Sequence, residues 1–422
     1  MGKFTGILGI VVLLGIAYLL SNNRKNINYR LVAWGLGIQL IFALLILKSP
    51  IGKPIFFYID KIITKLISFS DAGSDFLFKS FVPDVGFHVG LINFAFRALP
   101  TIIFFSGLMA VMYHFGIIQF IVKWIAKLMQ KTMGTSGSET LSVSANIFVG
   151  QTEAPLMVRP FVNNMTKSEL AAVMTGGFAT AAGGVLALYV MWLKDIPGIA
   201  GHLLAASVMS APAAIVVAKM LLPEKEKFET KLEVSKADMG ANALEAISKG
   251  TTDGLRLAVN VGAMLLVFIA LMSMANFILF KVGDWTSLNA WIATNTRYPE
   301  LSFNMILGYI GAPIAWLIGV CKEDMFLVGQ LLGEKTVLNE FVGYMSLGEM
   351  KNAGEFVEQK SIIIATYILC GFANFASIGI QIGGIGALAP KRRGDLSKLG
   401  VLALIAGTLA SLFTAVIVGM LI

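Results

Sequence analysis

The chain has 422 residues, of which 56% are hydrophobic and 14% charged, against roughly 25% charged in an average soluble domain. A mean hydropathy of +0.78 with so few charges excludes an ordinary water-soluble enzyme, and it excludes disorder, which needs the opposite balance. The net charge of +8 (33 basic against 25 acidic) sits in short clusters between apolar runs. That is the pattern of a membrane topology signal, not of a nucleic-acid surface.

A bilayer crossing takes about 20 mostly apolar residues. The sequence offers eight such runs, at 5–20, 31–47, 98–115, 170–192, 202–221, 255–280, 362–388 and 399–422. The first is followed by Asn22, Asn23, Arg24 and Lys25 instead of a small-residue cleavage site, so it reads as a retained span. Arg24, Lys25 and Arg30 follow the first run, and Lys391, Arg392, Arg393 and Lys398 precede the last. Both loops are therefore expected in the cytoplasm, which leaves both termini outside.

Two stretches read as interfacial helices. Ile55, Phe56, Ile59, Ile62, Ile63 and Leu66 share one helical face opposite Asp60, Lys61, Thr64 and Lys65. Ile118, Ile121, Val122, Ile125 and Leu128 do the same against Lys123, Lys127 and Lys131. A wide apolar face with a basic polar face lies in the membrane interface; a solvated helix packed on a partner would show the same pattern.

Two further apolar stretches, about 134–162 and about 301–344, carry prolines, glycines and polar residues in their middles. Irregular backbone survives at membrane depth only where protein or a cavity surrounds it. Both are expected to be re-entrant hairpins, the first entering from inside and the second from outside. The expected fold is an all-α polytopic membrane protein with eight transmembrane helices, two hairpins and interfacial helices. Its divisions are 1–97 (scaffold spans and interfacial helix), 98–221 (first repeat), 222–254 (cytoplasmic linker) and 255–422 (second repeat).

The repeat is faint but in register. Asn146-Ile147-Phe148-Val149-Gly150 recurs as Asn339-Glu340-Phe341-Val342-Gly343, and Lys167-Ser168 as Lys360-Ser361, both at a shift of 193. Gly177-Phe178-Ala179-Thr180 recurs as Gly371-Phe372-Ala373-Asn374 at a shift of 194. Repeats whose hairpins open to opposite sides place a ligand site near mid-membrane, where broken helices meet.

The polar residues expected there are Asn146, Gln151, Thr152, Glu153, Thr180, Glu340, Asn374 and Ser377. Amides, hydroxyls and two carboxylates suit a neutral ligand rich in hydrogen-bonding groups, such as a sugar or a heterocyclic base. An intramembrane carboxylate is a functional candidate because its insertion is costly, although Glu153 and Glu340 could instead pair internally with Arg97, Arg159 or Lys322. The small polar residues could equally bond helix to helix. Cys321 and Cys370, and the scattered His88, His114 and His202, suggest neither a disulfide framework nor a metal site. No phosphate-binding G-x-x-x-x-G-K-[ST] occurs.

At these residues the sequence resembles the concentrative nucleoside transporter family, over its full length. The words that carry the likeness are Leu99-Pro100-Thr101-Ile102-Ile103-Phe104-Phe105-Ser106, Ala145-Asn146-Ile147-Phe148-Val149-Gly150-Gln151-Thr152-Glu153-Ala154-Pro155 and Thr175-Gly176-Gly177-Phe178-Ala179-Thr180. They continue through Asn339-Glu340-Phe341-Val342, Cys370-Gly371-Phe372-Ala373-Asn374 and Ala389-Pro390-Lys391-Arg392-Arg393-Gly394-Asp395-Leu396.

The resemblance implies a sodium-coupled symporter of nucleosides such as uridine, cytidine or adenosine. It implies a homotrimer set in the lipid of a bacterial cytoplasmic membrane, with no role for nucleic acid. It assigns Gln151, Thr152 and Glu153 to the base, Glu340, Asn374 and Ser377 to the ribose, and Val185 and Phe372 to packing against the base. It assigns sodium to the Asn146 side chain, the Val149 carbonyl, Thr180 and the backbone at Ala181.

Three departures stand out: Phe375-Ala376 where Leu-Ser is common, Thr180 where some members have Ser, and Lys79 in place of Gly. Proton coupling is the near alternative. A membrane-embedded enzyme using Glu153 and Glu340 as acid and base is the distant one, disfavoured because the repeat puts the two glutamates on separate hairpins.

Overall fold

The computed structural model describes residues 2–50, 52–78, 94–230 and 241–422. His88 and Lys79 lie outside them, as does the side chain of Phe56. The described residues are helical, with no strand among them. In chain order, α1 (Gly2–Leu19) and α2 (Tyr29–Leu47) lead to the long α3 (Gly52–Phe78). Then come α4 (Leu99–His114), α5 (Ile117–Met133), α6 (Gly137–Ala145) and the short α7 (Arg159–Val162). The first half closes with α8 (Lys167–Ala179), α9 (Gly183–Trp192) and α10 (Ile199–Leu221). A 43-residue α11 (Ala243–Trp285) and α12 (Leu288–Asn295) join it to α13 (Phe303–Leu317), α14 (Met325–Val337) and α15 (Glu340–Asn352). The chain ends with α16 (Gln359–Leu369), α17 (Phe375–Leu388) and α18 (Arg393–Leu421).

Six segments among the described residues are long and apolar enough to cross a bilayer. One of them is the α8–α9 pair, which is interrupted between Ala179 and Gly183. The other two expected spans are the 18-residue α1 and the interrupted pair α16–α17, each part of which is short. The interruptions follow from the local sequence. Thr180 leaves the helix in extended geometry at φ −118°, and Asn374 restarts one by accepting from Ser377 N at 2.9 Å. Between α16 and α17, Gly371 adopts φ +97°, open to glycine at little cost.

Contacts along α18 give the relative direction of the two interrupted pairs. Lys167, at the start of α8, lies 3.9 Å from Asp395 at the start of α18. Ile364, in the second turn of α16, lies against Gly419 near the end of α18. The pairs therefore begin at opposite ends of the bundle, and the repeat is inverted. They meet at their interruptions: a Cβ on Gly371 would fall 2.5 Å from the carbonyl carbon of Ala179.

Both basic clusters and the start of the linker gather at one end. Asn22 N donates to Leu221 O at 3.0 Å, Ser168 Oγ to Leu222 O at 2.7 Å and Arg392 to Asn163 O at 2.9 Å. The first hairpin starts from this end, because Gly137 N donates to Glu229 O at 3.1 Å. The second belongs to the other end, where Lys351 lies 3.8 Å from Asp195.

Two expectations need correcting. The stretch 301–344 is not one hairpin. Its first half is α13, and the hairpin is α14 with α15, which runs on to Asn352. Gly308 and Gly311, which suggested a hairpin interior, instead let α13 lie backbone to backbone on α14, with a Cβ on Gly311 falling 2.3 Å from Gly329 O. The linker is shorter than 222–254, since α11 begins at Ala243, where Asn242 accepts from Glu245 N. In the two interfacial helices the expected apolar face is divided between contact with protein and exposed surface, as a face turned partly to lipid would be. In α5 the buried residues are Ile118, Val122, Ala126, Met129 and Met133, while Ile121 and Leu128 are exposed; in α3 Ile55 and Ile62 are exposed. With apolar residues on several faces, spacing does not say which one meets protein and which meets lipid.

Candidate functional site

Both hairpin tips dock on an interruption. Gly183 N, at the start of α9, donates to Phe148 O in the first tip at 3.0 Å. In the second, Asn339 caps α15 by accepting from Val342 N, which sets Glu340 at the first position of that helix, 1% exposed. Asn146 and Asn339, paired by the repeat, thus both stand at a hairpin break.

From there a continuous chain of hydrogen bonds crosses the molecule. Tyr189 OH donates to Glu340 Oε1 at 3.3 Å, and Asn374 Nδ2 donates to Glu340 Oε2 at 3.0 Å. Asn374 Oδ1 accepts from Ser377 N, while Gln151 Nε2 donates to Ser377 Oγ at 3.2 Å. Gln381 Nε2 in turn donates to Gln151 Oε1 at 3.0 Å and to Met174 O at 3.1 Å. The chain joins both hairpins to both interrupted pairs through buried groups, which makes each link costly to break.

Of the expected residues, Gln151, Glu340, Asn374 and Ser377 are brought together. Thr152 and Glu153 lie on the same tip, bonded to each other (Thr152 Oγ1 to Glu153 Oε1, 2.9 Å). Val185 is buried in the first turn of α9, and Phe372 is half-buried in the α16–α17 interruption. The internal pairing considered for the glutamates is not realised among the described residues: Arg97 instead holds Asp71 and Asp75 at 3.3 and 2.7 Å. Sequence reasoning missed Gln381, Tyr189 and Lys335. Gln381 and Lys335 carried a usable signal: each is a polar or charged residue in an apolar helix destined for the membrane.

Of the four residues assigned to sodium, Asn146 and Val149 lie at the first tip, and Thr180 and Ala181 lie at the α8–α9 interruption on which that tip docks. Asn146 is 1% exposed and its Oδ1 has no hydrogen-bond partner among the described residues. Thr180 Oγ donates to Gly176 O at 2.9 Å, which leaves its lone pairs available. Ser207 braces the backbone of Ala181, accepting from its N–H at 3.1 Å. An orphaned buried amide oxygen on the tip and a hydroxyl with spare lone pairs at the interruption suit a hard monovalent cation, which takes oxygen ligands in place of its hydration shell, while the Ala181 carbonyl accepts from Ser207 Oγ at 3.4 Å. No cluster of three or more His, Cys, Asp or Glu suited to a metal occurs among the described residues.

The base of the first hairpin is anchored by charge. Ser136 and Glu139 cap α6 reciprocally, at 3.2 and 2.9 Å, and Thr166 and Glu169 cap α8, at 3.0 and 2.8 Å. Lys219, near the end of α10, lies 2.8 Å from Glu139, 3.1 Å from Glu224 and 3.0 Å from Ser168 Oγ. Burial raises the Glu224 carboxyl, but Lys219 and the Thr166 hydroxyl outweigh it and hold the group below the usual carboxylate range.

Inverted repeats, hairpins entering from opposite ends and polar groups gathered where two broken helices cross define a secondary transporter. Family comparison agrees: "Na+ dependent nucleoside transporter" N-terminus and C-terminus descriptions match residues 8–81 and 202–419, and "Nucleoside recognition" matches 95–195. The chain belongs to the Na+-dependent nucleoside transporter family. An uncharacterized transporter of Haemophilus influenzae is 44% identical over all of this chain and 98% of its own. Sodium/nucleoside cotransporter 1 of Rattus norvegicus is 40% identical over 98% of this chain and 63% of its own. Among solved structures, CNTnw in an inward-facing substrate-bound state is 41% identical with a TM-score of 0.90, covering all of this chain and 98% of its own. A variant of CNTnw in an outward-facing state matches as well, at a TM-score of 0.90. The relatives are named as transporters, not enzymes.

Proposed function

We propose that the protein imports nucleosides across a bacterial cytoplasmic membrane, driven by sodium, through alternating access of the hairpins and interrupted helices. The observation that carries this reading is the hydrogen-bonded chain from Gln151 to Glu340, whose members have amide, hydroxyl and carboxylate groups in the variety a nucleoside requires. Glu340, Asn374 and Ser377 grip the vicinal ribose hydroxyls, and Gln151, Thr152 and Glu153 address the base edge. Val185 and Phe372 pack against its faces. Binding exchanges bonds among these side chains for bonds to substrate, so the carboxylate is never left unpartnered, a condition that would cost more than the bond itself contributes.

Sodium at Asn146, Val149, Thr180 and Ala181 joins the first tip to the α8–α9 interruption and readies Gln151, five residues on, for the base. One inward charge moving down about 100 mV supplies roughly 2.3 kcal/mol, enough for about fiftyfold accumulation. The α8–α9 and α10 segments are 94% and 89% buried within the chain, whereas the most apolar stretch of α11 is 6% buried. The former suit a moving core, the latter a static scaffold that faces lipid and holds a homotrimer together.

The test is uptake of labelled uridine and adenosine into proteoliposomes with sodium and proton gradients imposed separately. Accumulation under the sodium gradient is expected. Accumulation under the proton gradient alone replaces sodium with protons in this reading, and conversion of nucleoside to product would overturn transport itself.

A further inference from the structure

Lys335 is fully buried near the end of α14, four residues before the hairpin asparagine. Its ammonium donates to Ile368 O at 2.8 Å, Cys370 O at 2.9 Å and Ser411 Oγ at 3.2 Å. Those three bonds use all its protons. No carboxylate among the described residues lies within 4.0 Å of it, so its partners are neutral oxygens alone. Two of these are carbonyls at the α16–α17 interruption, where the helix ends and its last carbonyls lose their donors.

The inverted repeat gives this arrangement a counterpart. Four residues before Asn146 stands Ser142, as Lys335 stands four before Asn339. Ser142 is fully buried, and its Oγ, like Asn146 Oδ1, has no hydrogen-bond partner among the described residues. In the second repeat the corresponding position carries a cation bonded to oxygens; in the first it carries orphaned oxygens.

We infer that Lys335 is a tethered cation: its ammonium fills, within the second repeat, the place that an exchangeable cation fills in the first. It is a positioning residue. By joining α14 to the interruption and to α18, it holds open the turn that presents Asn374 to Glu340. It also restricts cation exchange to the first hairpin, so that one cation accompanies each substrate. The exchangeable cation in the first repeat rests on the sodium-coupled reading above; the tethered cation in the second does not.

Two variants of the full-length protein separate these points. Lys335→Ser reproduces the residue of the first repeat and leaves an oxygen cage without its cation. Lys335→Met fills the space without charge. In choline chloride both are expected to have lower unfolding midpoints than the parent. Methylammonium or sodium should raise the midpoint of Lys335→Ser by several degrees more than that of the parent, and should raise that of Lys335→Met no more than the parent's. In proteoliposomes at low sodium, uridine uptake by Lys335→Ser should fall about tenfold (about 1.4 kcal/mol) and recover at high sodium along a steeper curve than the parent's.

Midpoints insensitive to added cations, or a methionine variant indistinguishable from the parent, would overturn the tethered cation. A parent indifferent to sodium, with Lys335→Ser still rescued by methylammonium, would overturn only sodium coupling. Should neither variant fold, Lys335→Arg decides: a folded protein with the parent's cation dependence supports the inference, and a misfolded one counts against it.

Discussion

Replacing Glu340 with glutamine tests the ribose assignment with almost no change in shape. Both present partners of the carboxylate are donors, Tyr189 OH at 3.3 Å and Asn374 Nδ2 at 3.0 Å. A glutamine has one oxygen for the two of them, so its amide NH2 must face a donor or turn toward the ligand. Asn374 cannot simply flip to compensate, because its Oδ1 caps α17 through Ser377 N. Toward a nucleoside, the substitution exchanges charge-assisted bonds from the ribose hydroxyls for neutral ones. A hydrogen bond to a charged group contributes about 1.5–3 kcal/mol against about 0.5–1.5 for a neutral one, so exchanging the bonds of two hydroxyls costs about 2–3 kcal/mol and Glu340→Gln should weaken uridine binding about 30- to 150-fold. Dideoxyuridine, which lacks those hydroxyls, should bind weakly to the parent and lose less than about threefold more in the variant. Uracil should bind poorly to both forms, since it leaves the buried carboxylate unsatisfied. The assay is equilibrium binding of the three ligands to purified parent and variant. Equal losses for all three would refute the ribose role and reassign Glu340 to holding the hairpin.

Four further outcomes are expected. Asn146→Ala should raise the sodium concentration for half-maximal uptake, and a parent that follows only a proton gradient would contradict the sodium ligands. Lys219→Met strands Glu139, which is fully buried, and should cost about 3–5 kcal/mol in chemical unfolding, part of it recovered by adding Glu139→Gln; a neutral effect would mean the charges are hydrated. Because the folded Glu224 carboxyl is held below its ordinary value, its stabilisation is complete above an unfolded value of about 4.3 and is lost as pH falls through the lower folded value. The stability difference between the parent and Glu224→Gln should be constant from pH 7 to about 5 and vanish at lower pH; a difference that grows on acidification would reverse the sign. Gly371→Ala should cost more than about 4 kcal/mol, since its Cβ meets the Phe178–Ala179 backbone at 2.5 Å.

Membrane residence, the helical class and the repeat were all legible in the sequence, because each depends on a local quantity. Apolar run length reports bilayer crossing, short basic clusters report the loops, and recurring words around Asn146 and Asn339 report two copies of one unit. The amide and carboxyl residues of the candidate site could be nominated for a related reason: a polar residue in a membrane segment stands out against its neighbours. Their partners were not. That Gln151 bonds Ser377 and Gln381, more than 200 residues away, and that Tyr189 reaches Glu340 are facts of how two inverted units cross at Gly371 and Ala179. The same holds for the buried faces of α3 and α5, where lipid and protein attract the same apolar side chains, and for α13, whose glycines serve close packing against α14 instead of a bend. Composition says which residues leave water; only the tertiary structure decides which of them meet, because contact between distant segments has no signature in local spacing.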